Sequence, residues 1–98
     1  MEAYALNKIG RFDLTNKETI VIYKRGIYEI KLPDNCKSID CSYNRLTELV
    51  IPNGCKKVYC RNNNISELLI PDSCVYVDCR FNKNIKIITN NINCVIYT

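Results

Sequence analysis

The sequence predicts a repeat solenoid: a short parallel β-sheet along one face, extended or 3-10 segments along the other, and little α-helix. Three observations carry this expectation. Residues 32–50, 51–69 and 70–89 read as successive copies of one unit: LPDNCKSIDCSYNRLTELV, IPNGCKKVYCRNNNISELL and IPDSCVYVDCRFNKNIKIIT. Each copy holds an apolar-x-Cys stretch with the alternation of a strand, at Ile39–Cys41, Val58–Cys60 and Val77–Cys79. An asparagine follows at a fixed distance, as Asn44, Asn63 and Asn82. A unit this short cannot bury its apolar edge alone, so the copies must stack.

Taken in chain order, residues 1–12 are expected to cap the stack, with a short helix as one form. Residues 13–31 fit the unit less well. Ile20, Ile22, Ile27 and Ile30 sit in place, but Lys17 replaces the first Cys and Arg25 replaces the Asn. The segment reads either as a degenerate repeat or as a capping hairpin, TIVIY and IYEIKL joined through Lys24-Arg25-Gly26. Both readings make 19–23 a strand. In the three full units Cys36, Ile39, Cys41, Asn44, Leu46 and Leu49 recur as Cys55, Val58, Cys60, Asn63, Ile65 and Leu68. They recur again as Cys74, Val77, Cys79, Asn82, Ile85 and Ile88, with one extra residue placed around Lys83–Asn84. That shift makes 90–98 a partial last repeat, with Cys94 below Cys74 and Tyr97 below Val77. So little chain remains outside each strand that extended or 3-10 segments are expected there.

With 98 residues the chain suits one small domain. Its 14 basic and 10 acidic residues are interspersed, for a net charge of +4. That balance permits nucleic acid or an acidic partner and argues for neither. The N-terminus lacks a basic stretch followed by an apolar run, and no run approaches the roughly 20 residues of a membrane span. An intracellular location, cytoplasmic or within a viral particle, is expected, and there thiols stay reduced. The absence of His removes the commonest general base and metal ligand, and only three Gly leave no phosphate-binding loop.

The seven cysteines invite four readings. As structural groups, Cys36, Cys41, Cys55, Cys60, Cys74, Cys79 and Cys94 fill inward repeat positions, where a free Cys behaves as a small hydrophobe. As disulfides, column neighbours on parallel strands would hold Cβ atoms near the ~4.8 Å strand spacing, wider than the ~3.8 Å a bridge prefers. As zinc or iron–sulfur ligands, the CxxxxC spacing lacks the tight paired turns that close a tetrahedron. Burial also argues against a reactive thiolate. The expectation is a core role, with no metal and no cofactor. Asn44, Asn63 and Asn82 belong to the same core. An amide with two donors and an acceptor can satisfy backbone groups that the chain strands as it turns after each strand.

The pattern CxxIxCxxNxL, with a further apolar residue three positions on, resembles the leucine-rich-repeat signature LxxLxLxxNxL with cysteine at two leucine positions. The preceding proline and short period are most similar to the short-repeat class of bacterial effectors and large DNA viruses. The resemblance spans residues 32–98. It implies a non-enzymatic protein–protein interaction or structural module, including a small subunit of a larger, viral assembly. The abundance of Asn, Ile, Lys and Tyr agrees with an AT-rich genome.

In such a solenoid the outward strand residues form the binding face. The repeat reading turns out Tyr23, Asp40, Tyr43, Lys57, Tyr59, Arg61, Tyr76, Asp78, Arg80, Phe81 and Ile96, a set rich in the Tyr and Arg of protein-binding hot spots. A solvated face, with Asp40 or Asp78 paired laterally to Arg61 or Arg80, is the plain alternative. The open edge at Val95–Tyr97 is a second expected contact, to a partner or another copy of the chain. The competing functional class is a nucleic-acid binder using Lys56, Lys57, Arg61 and Arg80 with Tyr59 and Phe81 as stacking groups.

Overall fold

The computed structural model describes residues 2–98. Among them there is no helix; ten three-residue strands wind a β-solenoid of about four turns. In chain order these are β1 (Tyr4–Leu6), β2 (Arg11–Asp13), β3 (Thr19–Val21), β4 (Glu29–Lys31) and β5 (Ser38–Asp40). They continue as β6 (Lys57–Tyr59), β7 (Glu67–Leu69), β8 (Tyr76–Asp78), β9 (Lys86–Ile88) and β10 (Val95–Tyr97).

The main sheet is parallel and runs β3-β5-β6-β8-β10. Its registers align Ile20, Ile39, Val58, Val77 and Ile96 in one inward column. Of these, Ile39, Val58 and Val77 have no exposed surface. Ladder bonds continue past each strand, as from Cys41 N to Tyr59 O (2.8 Å) and from Asn62 N to Arg80 O (3.0 Å). The chain then turns through a left-handed residue once per coil, at Lys24, Tyr43, Asn62 and Phe81, with φ between 56° and 60°. On the back of the solenoid β7 pairs in parallel with β9. The core between the faces is Ile, Leu, Val and Cys, including Leu46, Ile65 and Leu68, all fully buried.

Residues 13–31 form no hairpin, and their first strand takes the repeat register, Ile20 beside Ile39. β3 joins the main sheet as a coil strand, while β4 pairs antiparallel with β1 and not with β3. β1 and β2 form an antiparallel hairpin, so residues 4–13 hold strands where a short helix was one expectation for the cap. The hairpin covers the first coil by burying Ala3, Ala5 and Leu14.

The last coil corrects the repeat reading. Leu68 pairs with Ile87, not Ile88, and Val77 pairs with Ile96, not Tyr97. The strands thus keep the 19-residue spacing, and no extra residue shifts them at Lys83–Asn84. A left-handed Asn84 (φ 58°) absorbs the local irregularity, and Ile85 still packs on the core. The turn before β10 instead starts one residue late. There Cys94 N bonds Asn91 O (3.5 Å), the turn that Cys74 N makes with Pro71 O (3.2 Å). Cys94 then directly precedes β10, whereas Cys74 is separated from β8 by Val75. The physical reason is that ladder pairing and inward burial of Ile87 and Ile96 fix the strand register, and the turn yields. Among the described residues no helix is long and apolar enough to cross a membrane.

Candidate functional site

Strand alternation leaves the residues flanking the inward column facing outward. On each of β6, β8 and β10 one of the two is a tyrosine. The rings of Tyr59 and Tyr76 lie 5.2 Å apart, and those of Tyr76 and Tyr97 lie 5.6 Å apart. Toward the corner Tyr23 and Tyr43 meet edge to face at 5.9 Å. Arg61 sits over the Tyr43 ring at 5.6 Å and donates from Nη2 to its hydroxyl at 3.2 Å. Arg80 sits over Tyr97 at 5.4 Å. Such contacts favour ring and guanidinium geometries that are fixed before any partner arrives.

Asp78 organises this cluster from beneath, at 3% exposure. Arg80 donates to its carboxylate from Nε (2.9 Å) and Nη2 (2.9 Å), and Arg61 Nη1 lies 3.8 Å away. The Arg80 hydrogen bonds hold the Asp78 carboxyl below the usual carboxylate range, and the same bonds raise Arg80. Desolvation, followed by the charge of Asp78, pushes the Tyr76 hydroxyl up. Asp40 accepts from Ser42 N at 3.1 Å, and among the described residues no basic side chain lies within ion-pair distance of it.

Tyr23, Asp40, Tyr43, Tyr59, Arg61, Tyr76, Asp78 and Arg80 together line one shallow depression of about 470 Å³. Three residues of the expected face stand apart. Lys57 is exposed on β6 outside the depression, and Phe81 is 68% exposed at its left-handed corner. Ile96 is a correction: paired with Val77, it packs against the core instead of facing out. Asp78 faces outward but lies too deep for a partner to reach; it positions the arginines. Tyr97 is the residue that the repeat reading missed. Tyr97 aligns with Asp78 once the 19-residue spacing is carried through without a gap.

Behind the sheet, Asn44, Asn63 and Asn82 stitch consecutive coils. Asn63 donates from Nδ2 to Cys41 O (3.0 Å) and Cys60 O (3.2 Å), and accepts from Leu46 N (2.9 Å). Asn82 repeats this with Cys60, Cys79 and Ile65. Asn44 bonds Ile22 and Cys41 and accepts from Arg25 and Ile27, and is half-buried. A second line of side-chain bonds, unforeseen from sequence, runs through the opposite turns: Ser73 Oγ donates to Cys55 O (2.8 Å) and accepts from Gly54 N (2.9 Å).

All seven cysteines are free thiols; Cys36, Cys41, Cys55, Cys60, Cys74 and Cys79 are buried and Cys94 is half-buried. Burial pushes Cys41 up to about 12 and Cys79 up to about 11, with the nearby charges of Asp40 and Asp78 adding to the rise. Cys36 and Cys74 are raised first by hydrogen bonds with Cys55 and then by burial, while those same bonds lower Cys55. The Cys55 sulfur nonetheless has no solvent contact, which keeps the row chemically quiet in the closed coil. Among the described residues no group of three or more His, Cys, Asp or Glu is placed to hold a metal ion. Set beside known proteins, the chain matches no family model, no curated protein and no solved structure.

Proposed function

We propose that the chain is a non-enzymatic interaction module, a variant of the leucine-rich-repeat design, that binds a protein partner through the outward strand face. The observation that supports this reading is the preordered Tyr and Arg cluster: tyrosines in mutual contact, with Arg80 locked by a buried carboxylate. Rigid aromatic and guanidinium groups lose little conformational entropy on binding, which is why they recur as interface anchors. Arg61 is the least committed member. Its contact with Asp78 is long and its side chain is partly exposed, so guanidinium protons remain for a partner. Charge within the depression is balanced, Arg61 and Arg80 against Asp40 and Asp78, so it offers no net positive field for phosphate, which weighs against the nucleic-acid reading. A free-standing adaptor and a small subunit of a larger assembly are both forms of this reading.

The test compares proteins captured from the native source by the wild-type chain, by Tyr59→Ala and by Arg61→Ala. Under this reading both variants keep wild-type stability and lose a partner by about tenfold or more. Arg80→Ala, by contrast, loses stability because Asp78 is left buried without its charge partner. Capture that is indifferent to Tyr59 and Arg61 would overturn the proposal. So would RNA or DNA binding at low salt that collapses toward physiological salt.

A further inference from the structure

We propose that the back of the solenoid is a second, independent docking surface, which takes a basic amphipathic helix of a partner protein. The back ladder that aligns Leu68 with Ile87 also aligns Leu69 with Ile88, and the 19-residue spacing puts Val50 at the equivalent position of the preceding coil, which together make an apolar ridge. Val50 is 77% exposed and Leu69 is 65% exposed, although both belong to a column where a solvated face would carry polar groups. The ridge borders two depressions of about 420 and 320 Å³, one over the first coils and one over the later coils. Equivalent residues line both, Val50 and Pro52 in the first and Leu69 and Pro71 in the second, so the same apolar feature recurs along the stack. An exposed apolar strip of this regularity marks a contact surface.

The rim identifies the occupant. Glu29, Glu48 and Glu67 form an exposed acidic column on one side of the ridge, ended by Lys86 opposite Glu67, and Asp34 and Asp72 stand on the other; with Lys31 beside the first depression, five carboxylates face two amines. Among the described residues neither Glu48 nor Glu67 has a basic side chain within ion-pair distance. The chain as a whole carries a net charge of +4, so acidity on this face is a local segregation. Carboxylates flanking apolar side chains complement a partner that presents apolar residues flanked by Lys and Arg. Spacing decides between helix and strand. A helical turn advances about 5.4 Å against a coil spacing of about 4.8 Å, a slip of about 1.2 Å over the two steps from Val50 to Ile88. Alternate residues of a strand are about 6.7 Å apart and slip by almost 4 Å over the same distance.

The test uses a fluorescein-labelled Leu/Lys amphipathic helix of about five turns as the probe, titrated with the full chain at low and physiological salt. Saturable binding is expected, weakened about tenfold or more by Leu69→Glu and by the pair Glu48→Lys, Glu67→Lys, and unchanged by Tyr59→Ala. Because Leu69, Glu48 and Glu67 are exposed, these variants keep the fold, which thermal unfolding confirms. The inference is overturned if the probe does not bind, if the back variants bind as wild type does, or if a scrambled peptide of equal charge binds equally well. It is equally overturned if native mass measurement shows that Leu69→Glu abolishes a dimer, because the occupant is then a second copy of the chain.

Discussion

Asn63 is 5% exposed and bonds four backbone groups with one amide, Leu46 N, Cys41 O, Cys60 O and more weakly Arg61 O, drawn from two coils. Asn63→Ala leaves Leu46 N, Cys41 O and Cys60 O without that partner inside the core, and a loss of about 1–3 kcal/mol is expected by denaturant unfolding. Asn44→Ala should cost less, since water can reach the half-buried Asn44 site and replace part of what is lost. A neutral Asn63→Ala would mean that these bonds do not hold the coils together. Asp78 gives a pH-dependent counterpart. Its carboxyl is depressed in the folded chain, chiefly by the Arg80 hydrogen bonds. The unfolded carboxyl titrates near pH ~3.9, so the stabilisation is complete above that pH and is lost as pH falls through the lower folded value. The stability gap between wild type and Asp78→Asn should therefore be widest near neutral pH and narrow below about pH 4. A gap constant from pH 7 to 3 would show that the Asp78 charge contributes nothing.

At the scale of the coil, the left-handed corner is the element that the sequence announces least. Lys24, Tyr43, Asn62 and Phe81 all adopt positive φ, yet none is glycine. Asn62 Oδ1 is buried without a partner, so its side chain contributes no hydrogen bond through that atom. Asn62→Gly should thus be close to neutral, the relieved strain offsetting the added freedom of the unfolded chain. Asn62→Val, with a β-branched side chain in the same conformation, should cost about 1–2 kcal/mol by thermal unfolding. This corner was not legible in the sequence, because Lys, Tyr, Asn and Phe share no chemistry that signals positive φ. The strands and asparagines were legible, since burial and backbone satisfaction each demand one residue type at one spacing. The last coil was misread for a related reason. Cys94 matches the Cys column by type, but pairing energy follows the strand, and Val77 with Ile96 sets the register. Tyr97, aligned with Asp78 by the same register, was lost from the candidate face by that single step.

Across the whole molecule each coil touches only its neighbours, so stability should grade along the stack instead of being shared evenly. Ile39 is fully buried between the β3 and β6 coils, whereas Ile96 is half-buried on β10, at the edge of the sheet. Ile39→Ala should cost about 2–5 kcal/mol and Ile96→Ala below about 2 kcal/mol. The two should also differ in kind: the first lowers protection throughout, and the second loosens β10 alone. Thiol chemistry reads out this gradient without disturbing it, because the cysteines sample the stack from Cys36 to Cys94. Under native conditions a small alkylating reagent should modify the half-buried Cys94 first, and the six buried thiols should react only as coils open. Among those six, Cys79 in the coil next to β10 should react before Cys36, Cys41, Cys55 and Cys60, and the Ile96→Ala change should accelerate Cys79 without accelerating Cys41. Simultaneous modification of all six, in wild type and variant alike, would instead mean that the molecule opens as one cooperative unit. The two faces would then be ordered or lost together, and a partner on the strand face would stabilise the back ridge by the same free energy.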